Sequence, residues 1–142
     1  MHSVPQKKKI LVAVAQDVLE IITGLLGPDH ELCVATSLHH AQTVLSQASF
    51  DLIVGGARFD DSRLLDLLQH CKSDQQLARI PFLCLWIKQG KLPRDTFRDL
   101  VLASGALGAA GFVDLEEWDR QYGPATTAVE FRKLVASLLQ SS

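Results

Sequence analysis

Short, mostly apolar runs, several of them continuous, alternate along the chain with longer segments whose apolar residues recur every three or four positions. The runs are ILVAVA (10–15), ELCVAT (31–36), DLIVGG (51–56), IPFLCLW (80–86) and AGFVD (110–114). Their length suits strands, and an unbroken apolar strand is expected where both faces of a sheet are covered. Between them, Val18, Ile21, Ile22, Leu25 and Leu26 make a helical stripe that stops at Gly27 and Pro28. Ala41, Val44, Leu45 and Ala48 make a second, with Ser37 placed to cap its first turn. Leu64, Leu65, Leu67, Leu68 and Cys71 make a third, opened by Asp60 and Asp61, whose charge suits a helix N-terminus. Phe97, Leu100 and Val101 mark a fourth. Val129, Leu134, Val135, Leu138 and Leu139 mark the last, with Thr127 and Glu130 at capping-box spacing.

Five strands alternating with five helices predict an α/β chain: a three-layer α/β/α sandwich on a parallel sheet, since parallel neighbours need crossover helices and those crossovers are right-handed. The expected organisation is a leader over residues 1–8 and one domain over 9–140, the size of an ordinary single core. In such folds the chemical site lies at the carboxyl ends of the strands, near the switch in strand order.

Composition narrows the function without naming it. Of 142 residues, 47% are hydrophobic and 21% charged, with a net charge of -2, so there is no general attraction for nucleic acid or anionic lipid. Cys33, Cys71 and Cys84 are odd in number and sit in apolar stretches, which reads as buried thiols in a reducing compartment. No apolar run reaches a membrane span, and a cytoplasmic location is expected. Lys7, Lys8 and Lys9 read as a solvated lead-in to the first strand. His39 and His40 are adjacent on a helix, so their side chains diverge and suit no shared metal, and His70 beside Cys71 lacks a third ligand or orienting acid.

The segments KKILVAVA, FDLIVGGARFDDSRLLDLL, ARIPFLCLW and LGAAGFVDL, in that order, resemble the receiver domain of bacterial response regulators from about Lys9 to Leu139. The resemblance implies a flavodoxin-like fold with strand order 2-1-3-4-5. It also implies a site, and here the residues depart from the family. The position matching the phosphoacceptor aspartate is Gly56, and a hydrogen atom cannot form an acyl phosphate. The magnesium-holding acidic pair matches Val14 and Ala15, with Asp17 nearby in a helix-capping position. The switch hydroxyl matches Trp86, and the lysine matches Leu115. Phe112 matches the aromatic that receivers swing between rotamers. The chain is therefore similar to the pseudo-receiver subgroup, which keeps the fold and lacks the aspartyl phosphate.

These residues carry four expectations. Val14, Ala15, Gly56 and Trp86 should close the old site into an apolar plug, because clustered carboxylates with no cation would repel and be desolvated. Gly55 and Gly56 should form a tight turn after their strand, in preference to an anion-cradling nest. The polar stretch 116–130 should be a long loop in which Trp118 and Tyr122 pin the loop to its own domain or serve as contact residues; the resemblance further implies that Phe97, Phe112 and Phe131 lie on the face receivers use to dimerise, through the last two helices and fifth strand. The expected function is a phosphorylation-independent, non-enzymatic interaction module in a phosphorelay-type pathway, without cofactor or metal, whose partners are a kinase, an output protein or a second copy. The alternative is a small-molecule sensor with a pocket near Trp86 and Phe112. A flavodoxin-like enzyme is disfavoured, since no nucleophile, base and orienter stand together at the strand ends; residual ion binding at Asp17, Asp60 or Asp61 stays open.

Overall fold

The computed structural model describes residues 7–87 and 93–140, so most of the expected leader, residues 1–6, lies outside the described residues. Strands β1 (Lys9–Ala13), β2 (Glu31–Ala35), β3 (Leu52–Gly56), β4 (Phe82–Trp86) and β5 (Gly111–Asp114) form one parallel sheet in the order β2-β1-β3-β4-β5. Helices α1 (Leu19–Leu26), α2 (Leu38–Gln47), α3 (Leu64–Lys72), α4 (Arg94–Leu107), α5 (Leu115–Tyr122) and α6 (Pro124–Gln140) cover its faces.

The continuous apolar strands are explained by what lies on either side. Val12, Val54, Leu85 and Val113 face Val18, Ile22, Phe131 and Val135 in a core beneath α1 and α6. Leu11, Ile53, Phe82 and Cys84 face Ala41, Leu45, Leu67 and Cys71 in a second core beneath α2 and α3. Every residue of β3 and β4 is buried, as a strand sandwiched between two helical layers requires.

The two glycines of β3 do not turn the chain. Both remain in the strand, Gly55 opposite Ala13 and Cys84, Gly56 opposite Leu85. Their role is close approach: a Cβ on Gly55 would stand 2.6 Å from Leu64 Cδ1 and 3.0 Å from the Phe82 ring. The expected turn is displaced to residues 57–63, where Asp60, Asp61 and Ser62 take left-handed φ values of 43°, 58° and 69°. Short polar side chains tolerate that conformation best. Phe59, fully buried, anchors the loop.

Two helix starts also differ from expectation. Asp60 does not open α3, which begins at Leu64 after an Arg63 that makes no side-chain cap. Its Oδ2 instead accepts the Leu38 amide at 2.7 Å, so Asp60 and Ser37, which accepts the His40 amide at 3.1 Å, together serve the first turn of α2. The last helix begins at Pro124 rather than at Thr127. Proline is preorganised for a first helical position, and Thr127 is buried within α6 with its hydroxyl lacking a hydrogen-bond partner among the described residues.

The segment expected as a loop is largely helical: α5 spans Leu115–Tyr122, capped by Asp114 Oδ1 accepting the Glu117 amide at 3.0 Å. Leu115 and Trp118 turn inward against the α1/α6 core. Phe131, expected as a contact residue, is 0% exposed and fills that core, so it is unavailable to a partner.

Two measurements test this packing. Gly55→Ala should destabilise the fold by about 1–3 kcal/mol through overpacking against Leu64 and Phe82, read by denaturant unfolding; an unchanged midpoint would mean the strand and helix are not held this close. Burial pushes the Cys71 and Cys84 thiols up to about 12, Lys72 opposing the effect at Cys71 and a Ser104 hydrogen bond opposing it at Cys84. An unfolded thiol titrates near about 8.5, so the stabilisation of the neutral thiols is complete below that pH and is lost as pH rises toward 12. Stability should fall across that window more steeply than in a variant with both cysteines replaced by alanine.

Candidate functional site

The strand order reverses direction between β1 and β3, which places the candidate site at their carboxyl ends. Val14 is 0% exposed and Gly56 is buried. A Cβ on Gly56 would lie 3.3 Å from Val14 Cγ1 and 3.5 Å from Ile87 Cδ1. Between Ala15, Val18, Gly56, Ala57, Arg58 and Ile87 the cleft retains about 10 Å³. That is room for one water at most.

The plug is thus apolar as expected from Val14, Ala15 and Gly56, with one substitution in its membership. Ile87, which no motif singled out, completes it in place of Trp86. Alternation along β4 carries Trp86 to the face of Phe82 and Cys84, where it packs edge-on against Phe97 of α4 at 5.2 Å. Phe97 in turn packs edge-on against Phe112 of β5 at 5.5 Å. Trp86 is 1% exposed, and its Nε1 has no hydrogen-bond partner among the described residues. Leu115, 3% exposed, lies in the core under α1 and α6.

Asp17 does not cap a helix. The short 3₁₀ turn Gln16–Val18 starts from Ala15 without a side-chain cap. The Asp17 carboxylate instead meets Arg58, whose Nη2 donates to its two oxygens at 2.9 and 2.8 Å. The Asp17 side chain is about half exposed, so solvent screens the pair and its contribution is below about 1 kcal/mol. Its geometric effect is larger: a cation from the β3 loop and an anion from the β1 loop close over the cleft.

A divalent cation and phosphoryl group, which the fold family implies, do not fit this donor set. Hard cations need several oxygen ligands, and the cleft is lined by aliphatic side chains and a guanidinium. Asp60 accepts the Leu38 amide of α2, and among the described residues no three His, Cys, Asp or Glu side chains gather to hold an ion.

The expected contact residues separate into three groups. Phe97 and Phe112 are half-buried in the aromatic ladder with Trp86. Trp118 and Tyr122 are brought together with Thr126 and Glu130 around a groove of about 360 Å³. Phe131 belongs to the core alone. On the outer face of α4, Leu102, which no motif singled out, is 69% exposed beside Val101.

No protein-family model matches the sequence, and no curated protein matches it. Solved structures do match in shape. A phosphorylated cyanobacterial phytochrome response regulator is similar with a TM-score of 0.75 at 18% identity, over 96% of this chain and 97% of that one. The signal receiver domain of a signal transduction histidine kinase from Syntrophus aciditrophicus is similar at 22% identity and a TM-score of 0.69, covering 94% and 91%. The receiver domain of a sensor histidine kinase from Pseudomonas aeruginosa, with magnesium coordinated in its active-site cleft, gives 13% identity and a TM-score of 0.63 over 95% and 99%. The strand order, the two helical layers and these near full-length matches together give this chain the flavodoxin-like fold of a response-regulator receiver domain.

Proposed function

We propose that this protein is a receiver-fold signalling module that acts by contact with other signalling proteins and without phosphoryl transfer. The observation that carries the reading is the closed strand-end cleft, where Val14 and Ile87 pack against a β3 residue that has no side chain. One structural neighbour is phosphorylated and another holds magnesium in its active-site cleft. In this chain the residues matching that machinery are Gly56, Val14, Ala15, Trp86 and Leu115, none of which supplies a carboxylate, a transferable hydroxyl or an ammonium. The partners are then a kinase, an output protein or a second copy, and the role is non-enzymatic. Among the described residues no helix is long and apolar enough to cross a membrane.

The sensor alternative is weaker for a steric reason. The space between Trp86 and Phe112 is occupied by the Phe97 ring, in edge contact with both.

Adding acetyl phosphate or beryllofluoride with magnesium should leave the amide NMR spectrum and the melting temperature unchanged; a saturable, magnesium-dependent shift would overturn the proposal. Gly56→Asp should destabilise by about 1–3 kcal/mol, because the new carboxylate is forced toward Val14 and Ile87 in a cleft with no room to hydrate it. Magnesium should not restore the loss. Recovery of stability on titrating magnesium would show that a metal site survives.

A further inference from the structure

The groove between α5 and α6 deepens the contact-module reading, on which it rests, by specifying what docks there. Trp118 and Tyr122 stand four residues apart on α5, and Thr126 and Glu130 four apart on α6, so each pair shares a helix face. Gly123, at φ 83°, and Pro124 turn the chain between the helices. The two faces enclose about 360 Å³, within the range of ligand sites. Trp118 is half-buried and packs against the core, while Tyr122 is 54% exposed.

The walls are electrostatically one-sided. Aromatic faces carry the negative lobe of the ring quadrupole, and Glu130 adds a carboxylate. Lys133 Nζ sits 3.3 Å from Glu130 Oε1 with its side chain 70% exposed, a solvent-screened pair that an incoming cation readily displaces. The neighbouring arginines are engaged elsewhere. Arg120 Nη1 is 2.8 Å from Glu117 Oε2, and Arg132 donates to the carbonyls of Leu25 and Gly24 in α1 at 2.8 and 3.2 Å.

Two aromatic rings and a carboxylate in one groove match a planar cation, which stacks on a ring and pairs with the acid together; an ammonium offers only a point charge. We propose that the α5/α6 groove docks an arginine-bearing segment of a partner protein, the guanidinium lying against Trp118 and Tyr122 and pairing with Glu130.

The test titrates the full chain with three short peptides identical except for arginine, lysine or glutamate at the same positions, followed by amide NMR shifts and by tryptophan fluorescence. Trp86 is buried, so a change in exposed indole emission reports Trp118. The arginine peptide should saturate shifts at Tyr122 and Glu130 and bind more tightly than the lysine peptide, with no saturation by the glutamate peptide. Glu130→Gln and Tyr122→Ala should each weaken binding about threefold, the effect of losing one exposed charge or cation–π contact, without moving the melting temperature. Equal response to the glutamate peptide, or binding indifferent to both variants, would overturn the proposal. So would a dimer in sedimentation that dissociates in Tyr122→Ala, which would assign the groove to a second copy. The acetyl phosphate experiment is independent of these outcomes: a phosphate response with arginine binding intact defeats the phosphorylation-independent reading alone, and failed binding without a phosphate response defeats the groove alone.

Discussion

The structure depends on the absence of a side chain at Gly55 of its central strand, next to a Gly56 that packs against the strand-end cleft. β3 lies between β1 and β4 with a helical layer on each face, so whatever follows Val54 must fit both layers at once. On one face Leu64 and Phe82 close to within the distance a methyl group on Gly55 would occupy; on the other, a methyl group on Gly56 would meet Val14 at 3.3 Å and Ile87 at 3.5 Å, a contact with little room to spare. Close packing of this kind is a solid-like constraint, because interiors have the density of organic crystals and a single added carbon is felt. The site that an open α/β sheet leaves at its strand ends is here part of the core.

Packing rather than charge holds that arrangement. The Asp17–Arg58 pair crosses the cleft but is substantially hydrated, so its net energy is small. Apolar burial contributes about 25 cal/mol per Å² removed from water, and Val14 and Val18 give up nearly all of theirs while Ala15 and Ile87 give up part. The loop after β3 follows the same logic. Its three left-handed residues are strained, and that strain is offset by the burial of Phe59 and by the Asp60 contact that satisfies an α2 amide.

A two-state signalling domain needs a ligand that binds its states differently. On the proposed function, closing the strand-end cleft removes the phosphoryl group as that ligand, and the Trp86–Phe97–Phe112 ladder joins β4, α4 and β5 as fixed packing. Discrimination then falls to the outer surfaces, where side chains remain accessible: the α5/α6 groove and the exposed apolar positions of α4. The additional helix α5 creates the first of these by presenting Trp118 and Tyr122 at a fixed spacing that a loop would not hold.

The chain by itself determined the layers and the strand count, because continuous apolar runs and three-to-four-residue stripes report burial directly. It also contained a signal for α5 that composition obscured: Asp114 and Glu117 at capping spacing, followed by Leu115, Trp118 and Tyr122 on one helical face. Other features were settled only in three dimensions. Whether Gly55 and Gly56 bend a chain or admit a neighbour depends on Leu64, Phe82, Val14 and Ile87, which come from other elements. Asp60 accepts an amide at the start of a helix 22 positions earlier, and Asp17 meets a cation 41 positions away. Periodicity records which face a residue turns to the core, whereas the partner it finds there is fixed by how separate elements pack.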